Sequence, residues 1–534
     1  MEINHSKLTK DPVLGNGIAA TKDLDAGEVV ICINEPFVTV VEKDALERVC
    51  SYCMLEHETS SLKRCTRCKV VRYCSAECQK LDWKLIHKNE CSLLTKLPHT
   101  PPTSFRALYQ LLLRYPEFGT ELDPRSANLE HHVHDFKKDE KRWGETMLQA
   151  KAVTEYSKSP STKTEKVATL LCIMRINGFR AALPDDTPIG LCYEPTLALA
   201  NHSCMPNGFI MFDGRCVSII ALNPIKKDDN IFITYVDPTQ SRDTRRAELR
   251  NRYFFDCNCE KCMDDENPYE IFRKTRVVSS PELDDFVDHK VLGTNAGSRI
   301  ATIQRLGQES QSLSLVITKV YGVLQQSRSA ASQTERLSLL KQALSDLSVL
   351  KANQLFALPP YPIIMDELYI AYVDNGHLQS ALLLLLFISL NCDPYSWPQP
   401  HHPFRVTHLF TISRLLKYAA SLEPATLAQN LSCVPKGILE GIDFIDATHA
   451  VLILVNEFAP KSHGRDTTFA RQVQEEIREV EEVQRLRGRT GEILRRWQSG
   501  RDSGKEGILI AKRIFDGLKT LAGFAFTVIE IQTL

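Results

Sequence analysis

Between residues 50 and 91 seven cysteines and His87 fall in the order Cys50-x2-Cys53, Cys65-x2-Cys68, Cys74-x3-Cys78 and His87-x3-Cys91. No other feature restricts folding as strongly. Eight such ligands fill two tetrahedral zinc sites. A pair separated by two residues sits on a tight turn with both sulfurs inward, and a His and a Cys four apart share one side of a helix. Gln79 to Glu90 is rich in helix formers and should carry His87. The interval cannot bury enough apolar surface to fold unaided, so metal binding should supply its folding energy. Ordinary burial of cysteine would not generate four linked spacings.

The chain has 534 residues, room for two to four domains, and 17 cysteines. Met1 to Lys10 is polar and has none of the apolar run of a secretory signal. No apolar stretch reaches the roughly eighteen residues of a membrane span, and Leu521 to Ile529 is too short, so no membrane association is expected. A reducing compartment, nucleus or cytoplasm or both, is expected, where clustered cysteines bind metals before they form disulfides. The net charge of −1 gives no support to nucleic acid as the primary partner. A monomer is the expectation.

Along the chain, Val29, Val30, Ile31, Phe37, Val38, Val40 and Val41 predict short strands, with Asp25-Ala26-Gly27-Glu28 as a turn. Pro98 to Pro102 punctuates the end of the cysteine block. Leu108, Leu111, Leu112 and Leu113 predict one helix, and Val167, Leu170, Leu171 and Met174 another. Short strands return over 190–237, a charged helix fills 239–252, and a further cluster, Cys257-x-Cys259-x2-Cys262, closes this half. From about 280 the pattern is helical: Leu339, Leu340, Ala343, Leu347 and Leu350 suit one helix, with others over Met365–Tyr372, Leu378–Leu390 and Val406–Tyr418. The rhythm is that of helix-pair repeats without a clean 34-residue period. The Arg- and Glu-rich stretch 462–506 is expected to be an exposed helix or partly disordered. The cysteines outside the clusters (Cys32, Cys172, Cys192, Cys216, Cys392 and Cys433) are expected to pack as small apolar groups.

The first cluster resembles a MYND zinc finger, as do Arg72-Tyr73-Cys74-Ser75, Cys78-Gln79 and Asp82-Trp83, with one residue inserted before His87. In that family alternate pairs share a metal. The resemblance therefore implies one zinc on Cys50, Cys53, Cys74 and Cys78 and a second on Cys65, Cys68, His87 and Cys91. Both sites are closed, so neither is expected to be catalytic. MYND fingers are interaction modules, which implies proline-rich peptides as possible partners.

A second resemblance covers roughly residues 10 to 265. Gly15-Asn16-Gly17, Asn201-His202-Ser203-Cys204-Met205-Pro206-Asn207, Tyr235 and the final cysteine cluster follow the order of a SET methyltransferase. A MYND finger inserted between early SET strands identifies the chain as similar to the SET-and-MYND family of protein-lysine methyltransferases. The expected fold is α+β and multidomain. It has a SET β-fold (1–49 and 191–256), the finger (50–91), a helical insert (92–190), a post-SET zinc segment (257–279) and an all-α, tetratricopeptide-like lobe (280–534).

What the resemblance implies about the site is specific. The backbone of Gly15, Asn16 and Gly17 would approach S-adenosylmethionine. Asn177, Asn201 and His202 would contact the cofactor, and Tyr235 would be the active-site tyrosine. Tyr253 and Phe255 would line a lysine channel, with Phe255 also covering the adenine. Glu130 and His132 are candidates for further cofactor contacts. Cys204 would join Cys257, Cys259 and Cys262 around a third zinc, pinning the tail that carries Tyr253 and Phe255. Singly, a strand-end tyrosine or a loop asparagine suits an ordinary structural role; the ordered set favours a site. The implied activity is lysine N-methylation of histone or non-histone proteins. The alternative is a catalytically inactive SET/MYND scaffold for protein–protein interaction. Asp228-Asp229-Asn230-Ile231 departs from the Gly-Glu-Glu-Leu of many SET proteins, losing the turn glycine.

Overall fold

The computed structural model describes residues 2–114, 129–157, 163–263, 310–352, 354–488 and 505–531. They fall into two compact units, one built from 1–238 and 242–263, the other from 239–241 and 264–534. No helix among the described residues is long and apolar enough to cross a membrane.

The first unit is a set of small sheets around an aliphatic core. Strands β1 (Ser6–Asp11) and β2 (Gly15–Ala20) form a hairpin. The end of β2 is buried on both faces, since the consecutive residues Ile18, Ala19 and Ala20 point alternately to either side of the pleat and are all inside. Strand β3 (Val29–Ile33) pairs with a later hairpin, and β4 (Val38–Val41), buried on both faces, pairs with β6 of a second sheet. That sheet runs β4–β6–β5, with β5 at Gly178–Ala182 and β6 at Pro188–Tyr193. Strand β7 (Asn201–His202) lies parallel to β10 (Phe232–Ile233), while β8 (Gly208–Asp213) and β9 (Cys216–Ala221) form the hairpin against β3. The turn expected at residues 25–28 forms, with Gly27 at φ 89° and the Glu28 N–H donating to the Asp25 carbonyl at 3.1 Å.

Between β4 and β5 come the finger and a helical layer. In the finger, α1 (Ala76–Asp82) starts on a Ser75 hydroxyl that accepts the Cys78 N–H, a standard N-cap. A wide π turn over Trp83–His87 then leads into α2 (Lys88–Leu94). This turn absorbs the residue inserted before His87: one extra residue widens one turn and the helix axis continues. Helix α3 (Thr103–Arg114) packs on β4 and buries Leu108, Leu111 and Leu112. Helices α4 (Val133–Lys138), α5 (Glu140–Ser157) and α6 (Thr164–Asn177) complete the layer, with the Val167, Leu170, Leu171 and Met174 stripe of α6 fully inside. Helix α7 (Arg242–Tyr253) closes the unit.

Among its described residues, the second unit is all helix, with a core drawn from every major element. Leu378–Asn391 is buried on all sides, so it forms the centre. Pro403–Ser421 packs along Phe444–Ser462. Two expectations need correction. The segment through Leu339 to Leu350 is not one helix: Gln333–Asp346 ends at Leu347 and a short helix restarts at Ser348. Leu347 and Leu350 both reach the core on either side of the break, so the buried stripe continues across it, and Leu339 is only partly buried. The charged stretch contains a 19-residue helix, Thr468–Leu486, that is not fully exposed, because Phe469, Val473 and Val480 line one packed face. Residues 489–504 of that stretch lie outside the described set.

Candidate functional site

Three groups of four metal-ligating side chains assemble, each with its ligand atoms within 4.8 Å of one another: Cys50, Cys53, Cys74 and Cys78; Cys65, Cys68, His87 and Cys91; and Cys204, Cys257, Cys259 and Cys262. Zinc–sulfur bonds of about 2.3 Å at tetrahedral angles put neighbouring sulfurs about 3.8 Å apart. The separations fit: Cys53 to Cys74 is 3.8 Å, Cys65 to Cys91 is 3.9 Å and Cys204 to Cys262 is 3.5 Å. His87 Nε2 lies 3.7 Å from Cys68 Sγ and 3.4 Å from Cys65 Sγ, so Nε2 is the ligating nitrogen. The donor sets suit zinc, and all three are closed sets of four.

Buried side chains support these clusters. Glu90, one turn after His87, faces the other ring nitrogen, Nδ1, at 3.7 Å, longer than a hydrogen bond but within electrostatic reach. Arg106 of α3 donates to Glu90 at 2.9 and 3.4 Å and to the Val41 carbonyl at 3.2 Å. Burial pushes the Glu90 carboxyl up, but the Arg106 charge and hydrogen bonds, with His87 close by, outweigh it and hold the group down at about 2. Tyr73 donates to Asp82 at 2.7 Å across the finger. At the third cluster, Arg245 of α7 donates to Cys262 Sγ at 3.5 Å, bringing positive charge to four thiolates. Spacing alone does not reveal Arg106 or Arg245. Glu90 was readable, because i and i+3 share a helix face.

The third cluster is continuous with an aromatic group. Cys204, Val236, Leu249, Cys257 and Cys262 share one packed core with Tyr235, Tyr253, Phe255 and Cys259. The Tyr235 ring lies 4.9 Å from Tyr253, 6.5 Å from Phe255 and 5.2 Å from His202. The Tyr235 hydroxyl donates to the Ala200 carbonyl at 2.7 Å, and the Tyr253 hydroxyl donates to the Tyr235 carbonyl at 3.3 Å. Burial raises both phenols, and for Tyr235 the neighbouring Tyr253 adds to it, so both stay protonated.

His202 is committed at both ring nitrogens. Nδ1 accepts the Tyr235 N–H at 3.0 Å, which leaves the proton on Nε2, 3.3 Å from Cys204 Sγ. Burial depresses its pKa to about 4, so the ring is neutral. Any hydrogen bond His202 makes with a ligand therefore comes from its backbone. Beside it, Asn201 Nδ2 donates to the Asn16 carbonyl at 3.1 Å, joining β7 to β2. A Cβ on Gly17 would stand 2.8 Å from that nitrogen, so a larger residue would push the Asn201 side chain off its place. Gly15 has φ +74° and open space where a side chain would be.

Asn177 ends α6, and its amide donates to the Ile173 carbonyl at 2.9 Å and the Glu130 carbonyl at 3.0 Å. Glu130 thus takes part through its backbone. The His132 ring lies against Phe254 with centroids 5.3 Å apart and pairs with Asp135 at 3.1 Å. Asn207, the last residue of the Asn201–Asn207 motif, takes a structural role: its side chain donates to the Asn230 carbonyl at 2.9 Å and accepts the Phe232 N–H at 2.8 Å. The turn before β10 survives the loss of glycine because Asp228 takes φ 72° and is held in an ion pair with Lys7, while Asp229 accepts the Lys226 N–H at 3.0 Å.

The MYND finger family profile matches residues 50–91. This segment is a MYND finger. Around it, the chain is 32% identical to "SET domain and MYND-type zinc finger protein 6" of Schizosaccharomyces pombe over 48% of this chain and 52% of the relative. It is 28% identical to "Histone-lysine N-methyltransferase ASHR1" of Arabidopsis thaliana over 49% and 55%, and 29% identical to human "Histone-lysine N-methyltransferase SMYD3" over 48% and 61%. The chain thus spans about half the length of the curated relatives it matches. Two of the three clusters belong to the MYND finger; the third, Cys204 with Cys257, Cys259 and Cys262, lies beyond it in the chain.

Proposed function

We propose that this chain is an S-adenosylmethionine-dependent protein-lysine N-methyltransferase whose β-sheets form a SET fold interrupted by the MYND finger and the helical insert. One observation carries the reading: the third cysteine cluster, Tyr235, Tyr253 and Phe255 pack as one group, and His202 ties that group to the strand bearing Asn201. A pure scaffold has no use for this joint construction. The reading also draws on the relatives' printed activities.

The residues fit the cofactor. Gly15 and Gly17 leave backbone without side chains opposite the Asn201 amide, and Phe255 offers an aromatic face. Bound S-adenosylmethionine would supply an electrophilic methyl on a sulfonium. The chain's own residues do the rest. The Tyr235 hydroxyl donates its hydrogen bond to the Ala200 carbonyl, so its oxygen lone pairs are available to an electron-poor methyl. Tyr235 and Tyr253, packed together and partly buried, would line the lysine's approach and disfavour an ammonium there, favouring neutral lysine, whose free pKa is about 10.4. Both phenols are protonated and both nitrogens of His202 are engaged, so this group offers no base and the lysine proton leaves to water. Alignment and electrostatics carry the acceleration. The MYND finger would present partners, proline-rich peptides among them, in the nucleus or cytoplasm.

Calorimetry with S-adenosylmethionine on the zinc-loaded full chain tests the reading. Saturable binding is expected, weakened at least tenfold or so by Asn201→Ala, the loss of one hydrogen bond to a charged ligand. Absence of binding to folded protein carrying three zincs would leave the scaffold as the better account.

A further inference from the structure

Two cysteines outside the metal clusters meet. Cys32 on β3 and Cys216 on β9 are 184 positions apart, yet their sulfurs lie 3.2 Å from each other. Both are half-buried, not packed away as small apolar groups as the sequence suggested. The reason is register: Cys32 pairs with Ser218, which places Cys216 two residues along the same face of the neighbouring strand. The separation is inside ordinary van der Waals contact of about 3.5–4.0 Å, and closing to a bond length near 2.0 Å needs about 1 Å of motion. Neither sulfur belongs to a metal group. Asn34 Oδ1 stands 3.7 Å from Cys32 Sγ and Ser218 Oγ 3.8 Å from Cys216 Sγ, so each thiol also has a polar neighbour.

The turn between β8 and β9 lies directly beside the finger. A Cβ on Gly214 would stand 2.6 Å from the Cys53 carbonyl, and Arg215 donates to the Tyr52 carbonyl at 3.3 Å with its guanidinium 5.0 Å from the Tyr52 ring. Cys216 is the next residue. A link from Cys216 to Cys32 would therefore fix the strand immediately behind the seat of the first zinc turn.

We propose that Cys32 and Cys216 form a redox-active dithiol that a hydroperoxide closes to a disulfide, stiffening the seat of the finger. In the first step one thiolate attacks the peroxide oxygen. The O–O bond breaks, a proton is taken up, and a sulfenic acid and an alcohol (or water) result. In the second step the other thiol sulfur attacks the sulfenic sulfur, the S–O bond breaks and water leaves with the thiol proton. Two thiols are oxidised and one peroxide is reduced. A small-molecule dithiol reverses the change.

The test uses the zinc-loaded full chain and limiting hydrogen peroxide, followed by alkylation and non-reducing tryptic mapping. Expected is the joint loss of two alkylatable thiols and the appearance of Asp23–Lys43 linked to Cys216–Lys226, before a chelating dye registers zinc release. The link disappears with dithiothreitol and does not form in Cys32→Ser, a variant expected to keep full zinc content. Amide exchange over residues 51–55 should slow in the oxidised form. The proposal is overturned if zinc-ligand thiols oxidise first, if no Cys32–Cys216 link forms in the wild-type chain, or if the link forms and exchange at 51–55 does not change.

Discussion

The buried pair of Glu90 and Arg106 offers the sharpest quantitative test of how the finger is anchored. Glu90 is 1% exposed and Arg106 3% exposed, so Arg106→Met strands a carboxylate away from water. The stranded group can always escape by taking up a proton. From an unfolded value of 4.5, protonation at pH 7 spans 2.5 units, which at 1.36 kcal/mol per unit is about 3.4 kcal/mol and caps the charge penalty. That figure sits within the roughly 3–5 kcal/mol seen when buried ion pairs lose one member. In wild type the sign runs the other way. The folded value, about 2, lies below 4.5, so the pair contributes its stability above pH 4.5 and loses it as pH falls toward 2. The readout is hydrogen exchange of the α2 amides, which reports local opening without assuming that the whole chain unfolds in one step. Arg106→Met should speed exchange about 300-fold at pH 7 and only about 30-fold at pH 6, where the protonation span shrinks to 1.5 units or about 2 kcal/mol. The Glu90→Gln, Arg106→Met double variant should recover most of the loss. Equal acceleration at both pH values, or none, would refute the argument that a buried charge pair holds α2 to α3 and β4.

Three further outcomes are expected. Tyr235→Phe removes the 2.7 Å bond to Ala200, costing about 1 kcal/mol of stability, and should leave S-adenosylmethionine affinity intact while turnover on a protein lysine falls by about two orders of magnitude; this is checked by paired calorimetry and methyl-transfer assays. Gly17→Ala forces a Cβ to 2.8 Å from Asn201 Nδ2, so cofactor affinity should fall about tenfold, a cost of about 1.4 kcal/mol, with the melting temperature nearly unchanged. His202→Ala frees both the Tyr235 N–H and Cys204, and competition with a chelator should show one of three zincs held about 10–100-fold more weakly while the finger's two are unaffected.

Much of this architecture was legible because its chemistry is written in spacing. The x2 and x3 cysteine intervals place ligands through local turns, and the finger's two groups assemble as the resemblance to a MYND finger implied. Helical stripes such as that of α6 were equally plain. What the sequence hid is whatever depends on register between distant strands. Cys32 and Cys216 looked unrelated because nothing local says that β3 and β9 pair with those two faces aligned. The helix break at Leu347 was hidden for a similar reason: periodicity cannot distinguish one helix from two that share a buried stripe. His202 was legible as a motif residue, but the engagement of both its nitrogens emerges only when Cys204 and the Tyr235 backbone are brought to either side.

The π turn at Trp83–His87 has a consequence for how such a finger can change over time. An inserted residue there spends itself on one wide turn and never reaches the metal, because the phase of the ligands is set downstream, by the single helical turn from His87 to Cys91. The stretch before His87 can thus gain or lose a residue while both zincs stay in place, whereas one residue added between His87 and Cys91 would rotate the two ligands off a common face. Length is negotiable on one side of the histidine and fixed on the other.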